Sequence, residues 1–222
     1  MLGSEALSDW KGESSIFAFW FGINDIMKSK HSQENTVKEG LGDLFDIISS
    51  IYNDGARNIL ILNVPPFDKS PSVINGGYSD IDQFIDKFNN GILEKLEIFS
   101  KDHQDANIIL YNVFDEFNYI WDHHKEYGIT ELVKDYNSYS SRDHATFYWN
   151  DNIHPTDKVH KYFTEDLHKY LNNISTHKLE NNNSTIKATA NFMEPSNAEI
   201  LYNKAYHMYS VLILYIIYFL FF

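Results

Sequence analysis

Residues 15–21, Ser-Ile-Phe-Ala-Phe-Trp-Phe, form a nearly unbroken apolar run that ends in the breaker cluster Gly22-Ile23-Asn24-Asp25. A short apolar run without alternation, closed by turn residues, predicts a strand buried on both faces, as in a parallel sheet. The same pattern returns at 57–63, closed by Val64-Pro65-Pro66, and at 106–112. Between these runs the apolar spacing changes to that of a helix. Val37, Leu41, Leu44, Phe45, Ile48 and Ile51 share one face of a helix over 36–52, which Asn53-Asp54-Gly55 stops. Phe84, Phe88, Ile92, Leu93 and Leu96 do the same over 80–102. A further helix is predicted over 113–126 and a terminal one over 156–172, with Thr156 as its N-cap. Residues 71–77 and 128–152 read as loops. Strand followed by helix, three times over, predicts an α/β fold with a parallel sheet covered by helices on both faces. Catalytic groups in such folds gather at the carboxyl ends of the strands, where Gly22 to Asp25 falls.

Beyond residue 172 the pattern lapses. Residues 173–208 are rich in Asn, Ser and Thr without a period and read as a linker, while 209–222 carry no charge. The expected organisation is therefore a domain over 1–172, a linker over 173–208 and an apolar tail over 209–222. As a helix the tail would span about 21 Å, short of the roughly 30 Å of a bilayer core. Three readings of it stay open: a glycolipid-anchor signal with its small residues at 196–198, a short membrane anchor, or the artefactual end of a gene model.

Charge and composition narrow the function classes. A net charge of −13 argues against nucleic acid and against a polybasic membrane patch. The absence of cysteine excludes disulfides, zinc–thiolate sites and thiol catalysis. Asn173, Asn182 and Asn183 open glycosylation triplets, yet the first residues lack the pattern of a signal peptide. Secretion or a cell-surface location is thus expected of a longer form.

Two clusters carry candidate chemistry: Gly22-Ile23-Asn24-Asp25, and Asp151-Asn152-Ile153-His154-Pro155 ahead of the last helix. Each alone is an ordinary turn. Together they supply what acyl transfer needs: a base, a carboxylate to orient it, and a donor for the oxyanion. Three positions apart in a loop, Asp151 can reach one imidazole nitrogen of His154 while the other faces a cleft. Asn24 can present its amide from the end of a strand. His123-His124 matches no metal-ligand spacing, so neither metal nor organic cofactor is expected. The aromatic run Phe147-Tyr148-Trp149 suits either an acyl or sugar pocket or core packing.

The stretch Phe17-Ala-Phe-Trp-Phe-Gly-Ile-Asn-Asp-Ile26 resembles block III of the SGNH/GDSL hydrolases, and Asn150-Asp-Asn-Ile-His-Pro-Thr156 resembles their block V. Leu62-Asn-Val-Pro-Pro66, with Ser70-Pro71, is similar to fungal and plant members, and the nearest likeness is to fungal carbohydrate acetyl esterases. The resemblance implies a three-layer α/β/α sandwich of the SGNH hydrolase, flavodoxin-like kind, and cleavage of carboxylic esters, with an acetylated small molecule or oligosaccharide as substrate. It implies His154 as general base, Asp151 as its orienting carboxylate and Asn24 as oxyanion donor, with Gly22 and Asp25 shaping the loop.

One departure stands out: no Gly-Asp-Ser triplet occurs in the 222 residues, and only 21 of them precede Gly22. The domain is therefore expected to be N-terminally incomplete, lacking its first strands and its nucleophile, and inactive as it stands. The strand at 15–21 would then be left with an unpaired edge. Ser4 has no strand before it, Ser14 and Ser15 enter a strand instead of leaving one, and nothing marks Ser138, Ser140 or Ser141 as activated. A catalytically dead relative that binds glycan or a protein partner through the residual cleft is the alternative. A flavodoxin-like binding module is a third, and Asp25 opposes it by placing an acid where an anion would sit.

Overall fold

The computed structural model describes residues 10–28, 33–76, 80–139, 143–180 and 213–216. The three predicted strands are all present: β1 (Ser15–Trp20), β2 (Asn58–Leu62) and β3 (Asn107–Tyr111), parallel and in the order β3-β2-β1. Their registers pair Phe17 with Ile59 and Ile59 with Ile108, so that residues of like parity line up across the sheet.

That parity sorts side chains to two faces, because successive residues of a strand point to opposite sides. Phe17, Phe19, Ile59, Ile61 and Ile108 join Leu41, Leu44 and Ile48 of α2 (Gln33–Asn53) and Phe88, Ile92 and Leu96 of α4 (Ile81–Asp102) in one buried cluster. Ala18, Leu60, Leu62, Ile109 and Tyr111 join a second, with Phe117 and Ile120 of α5 (Val113–Asp122) and Val159 and Phe163 of α6 (Asp157–Glu180). Helices thus cover both faces, giving the three-layer α/β/α sandwich. Each fully buried Ile, Leu or Phe contributes roughly 1.5–3 kcal/mol through removal of apolar surface from water.

Asparagines tie the strand ends. At the amino end Asn58 donates its amide to the Gly12 carbonyl at 2.9 Å and accepts from Asn107 Nδ2 at 2.7 Å. At the carboxyl end Asn63 donates to Asn112 Oδ1 at 2.9 Å, while its own Oδ1 accepts the Phe114 N–H at 3.0 Å. Asn89 of α4 grips Val64 from both sides, accepting its N–H at 2.8 Å and donating to its carbonyl at 3.0 Å. The bonds to Phe114 and Val64 satisfy backbone groups that leave the sheet ladder at the carboxyl edge, where a site would form.

Several elements differ from the sequence expectation. A fourth strand, β6 (Ile213–Ile216), lies parallel beside β1 and pairs Ser15 with Ile213 and Ala18 with Ile216. The edge of β1 is thus covered by a short apolar segment of the tail. Residues 181–212 and 217–222, which hold most of the predicted linker and tail, lie outside the described residues. Instead of one loop over 128–152 there is a two-stranded sheet of β4 (Glu131–Asp135) and β5 (Phe147–Trp149). Its first strand is too polar, and its second too short, to announce itself. Ser70 caps the four-residue α3 (Pro71–Ile74) where a loop was expected, accepting the Val73 N–H at 3.4 Å. α5 stops at Asp122, and α6 continues to Glu180. No helix among the described residues is long and apolar enough to cross a membrane.

On the α5–α6 side the sandwich encloses a carboxyl group. Tyr111 Oη donates to Glu116 Oε2 at 3.2 Å, whereas Glu116 Oε1 is buried without a hydrogen-bond partner. Burial, and then the charge of Asp166, which itself pairs with Lys169 at 2.8 Å, push the Glu116 carboxyl up to about 7. A carboxyl raised in the native state favours folding in its neutral form, so its contribution is intact below the ordinary value of 4.5 and declines as pH rises through about 7. Glu116→Gln keeps the shape without the charge. It is expected to be more stable than the parent by about 1–3 kcal/mol at pH 8 and equal to it at pH 4.5, as read by urea unfolding at the two pH values.

Candidate active site

The segment between β5 and α6 is folded back on itself. Trp149 and Pro155 form an isolated antiparallel bridge, the Asn150 N–H donates to the His154 carbonyl at 2.8 Å, and the Thr156 N–H donates to the Tyr148 carbonyl at 2.8 Å. Thr156 is fully buried. It stands at the predicted N-cap, and its carbonyl accepts the His160 N–H, but its hydroxyl donates to the Phe147 carbonyl at 2.9 Å. The side chain therefore fastens the loop to β5.

At the apex of this loop lie Asp151 and His154. Asp151 Oδ1 accepts the backbone N–H groups of Ile153 at 2.9 Å and His154 at 2.8 Å, forming a turn closed by the side chain. His154 Nδ1 lies 2.9 Å from Asp151 Oδ2. Partial burial alone would raise the Asp151 carboxyl, but the Ile153 N–H, the His154 ring and the His154 N–H outweigh it and hold it below the usual carboxylate value. The hydrogen bond through Nδ1 leaves Nε2 on the open side of the ring, and the His154 side chain is 64% exposed. The loop is anchored beneath by Ile153, which packs on the α2–α4 cluster, and by the Ser72 N–H, which donates to the Asn152 carbonyl at 3.0 Å.

The second sequence cluster sits where β1 ends. Gly22 has φ +111°, and a Cβ there would come within 2.4 Å of Phe88 Cε1 and 2.8 Å of Val64 Cγ2, so both conformation and space demand glycine. Its carbonyl accepts the Ile26 N–H at 3.0 Å and starts α1 (Ile23–Lys28). Asn24, expected in a turn, is instead in the first turn of this helix and exposed. Asp25 lies beside α2, where a Cβ on Gly40 would stand 3.4 Å from its Cγ. Ile23 and Ile153 border the same apolar cluster, which links the two segments. Asp151 and His154 are in direct contact; Asn24 is held on its own element.

The serines considered from sequence sit elsewhere or lie outside the described residues, as Ser4, Ser140 and Ser141 do. Ser14 and Ser15 are at the amino end of β1, and Ser15 is buried. Ser138 donates its hydroxyl to Asp135 at 2.9 Å. The rings of His123 and His124 bond to the carbonyls of Tyr119 and Ile129. Phe147, Tyr148 and Trp149 are all at most 3% exposed, so this aromatic run is core and not pocket wall. No group of three or more His, Asp or Glu side chains able to hold a metal occurs among the described residues.

A family model described as GDSL-like Lipase/Acylhydrolase matches residues 5–167. An acetylesterase of Thermothelomyces thermophilus is 23% identical over 158 residues, which cover 68% of this chain and 51% of the relative. A thermolabile hemolysin of Vibrio parahaemolyticus serotype O3:K6 (strain RIMD 2210633) is 25% identical over 193 residues, covering 77% and 44%. The chain thus spans about half the length of the curated relatives it matches.

The loops make two predictions. Gly22→Ala meets backbone strain and the Phe88 ring together, and is expected to lower stability by about 2–4 kcal/mol in urea unfolding. For Asp151, whose carboxyl is depressed in the fold, the stabilising contribution is present above the ordinary value of 3.8 and is lost as pH falls through the depressed one. Carboxyl ¹³C titration should find Asp151 below 3.8, and His154→Ala should move it upward by removing one donor.

Proposed function

The chain belongs to the GDSL-like lipase/acylhydrolase family, and from that premise we propose that it carries the base, the orienting carboxylate and one oxyanion donor of a serine ester hydrolase. The observation that supports this reading most strongly is the Asp151–His154 pair, bonded through Nδ1 with Nε2 left open.

In this reading His154 Nε2 takes the proton of a serine hydroxyl as the serine oxygen attacks the acyl carbon. Asp151 holds the ring in the tautomer with hydrogen on Nδ1 and stabilises the imidazolium that forms. The carbonyl oxygen becomes an oxyanion, to which the Asn24 amide donates. The bond to the leaving alcohol then breaks, and His154 returns the proton to that alcohol. Water, activated by the same imidazole, releases the acid and restores the serine. Gly22 and Asp25 shape the segment that carries Asn24. No Gly-Asp-Ser triplet occurs in the 222 residues, so we assign the nucleophile to a segment outside them.

The substrate we propose is an acetyl ester on a carbohydrate. It is supported by the fungal relative, an acetylesterase, and by the motif likeness to carbohydrate acetyl esterases. We place the whole protein outside the cell or at its surface, in keeping with the glycosylation triplets at Asn173, Asn182 and Asn183. A second reading is favoured by β6, which covers the β1 edge with the chain's own tail: a non-catalytic protein that keeps the fold and binds glycan.

Acetate release from acetylated oligosaccharides by the whole protein separates the two. The esterase reading expects turnover that falls at least about 10³-fold in His154→Ala and about 10²–10³-fold in Asn24→Ala. Wild-type turnover in His154→Ala, or binding without any turnover in the parent, would contradict it.

A further inference from the structure

A second histidine stands behind the candidate pair. His144 lies on a 3-10 turn (His144–Thr146) that Asp143 holds from both ends: its Oδ1 accepts the Ala145 N–H at 3.1 Å and its carbonyl accepts the Thr146 hydroxyl at 2.7 Å. Lys158 of α6 adds a bond to the Ala145 carbonyl at 2.9 Å. From this braced position the imidazole touches both flanks of the loop. Nε2 is 3.2 Å from Asn150 Oδ1, before Asp151, and Nδ1 is 3.2 Å from Asp157 Oδ1, in the first turn of α6. Tyr136 packs edge-on against the ring at 4.6 Å.

The contact with Asn150 has a consequence for Asp151. A primary amide offers an acceptor on one side and two donors on the other. With Oδ1 facing the His144 ring, the NH₂ group of Asn150 is turned to Asp151 and reaches Oδ2 at 3.5 Å. Oδ2 is the oxygen nearest His154 Nδ1. The backbone of Asn150 is fixed independently by bonds to His154 and Asn137, so the amide has little freedom except to rotate. The structure assigns His144 as a positioning residue that sets the Asn150 amide against the Asp151 carboxylate, through the chain Asp157–His144–Asn150–Asp151–His154. This rests on the reading of Asp151 and His154 as the working pair.

The test is carboxyl ¹³C titration of Asp151 in the whole protein and its variants, a readout that requires no turnover. A protein that hydrolyses no ester therefore leaves it decisive. His144→Leu frees the amide and removes a donor from the carboxylate, so the Asp151 midpoint should rise by about half a pH unit. His144→Gln retains an N–H toward Asn150 and should restore most of that shift. In an Asn150→Leu background, which should itself raise the midpoint, His144→Leu should add nothing further. An unchanged midpoint in His144→Leu would overturn the assignment, as would the same shift in the Asn150→Leu background. If His144→Leu does not fold, Asn150→Leu and His144→Gln decide: a midpoint unmoved by Asn150→Leu, or raised by His144→Gln as far as by Asn150→Leu, equally overturns it.

Discussion

One carboxylate organises the end of this molecule where the chemistry is proposed. Asp151 accepts two backbone N–H groups and an imidazole within a four-residue turn, and the two kinds of bond have different duties. The backbone bonds give the turn its shape, and the ring bond gives His154 a direction. Because these three donors favour the ionised form, as does the more distant Asn150 amide, the group stays charged although partly buried. Remove that charge and both the turn and the orientation of the His154 ring lose their common cause.

The rest of the fold serves to hold this turn at the sheet edge. Thr156 fastens the outgoing chain to β5, Ser72 fastens the middle from α3, and Ile153 roots it in the apolar cluster that also receives Ile23. Gly22 is the matching constraint on the other side. Only a residue without Cβ lets β1 turn into α1 between Phe88 and Val64. A parallel sheet buried on both faces makes such anchoring possible, since its strand ends emerge from rigid packing and the segments that leave them inherit that rigidity.

Much of this was legible in the sequence because the signals were strong and local. The three apolar runs are β1, β2 and β3 nearly to the residue, and the helical face of Phe84, Phe88, Ile92 and Leu96 is the buried face of α4, although Leu93, expected with them, is exposed. The spacing of Asp151 and His154 also foretold a turn-borne contact. What was not legible depended on partners distant in sequence. β4 is stable because it pairs with β5 and packs by α3, none of which Glu131-Leu-Val-Lys-Asp135 announces. β6 is an apolar tail segment whose strand character comes from the β1 edge beside it. Asn24 looked like a turn residue because Gly22 precedes it, whereas that glycine begins a helix. The place of His144 is not legible in the sequence because its two partners, Asn150 and Asp157, flank a loop whose folding back cannot be seen in one dimension.

In the proposed mechanism Asp151 and His154 activate a serine supplied from outside these 222 residues. The most direct measurement is the intact and peptide mass of the whole protein after treatment with a fluorophosphonate, which phosphonylates only an activated serine. One adduct is expected, on a serine outside residues 1–222, that disappears in His154→Ala. No adduct in the native protein, or one that forms equally well without His154, would contradict it.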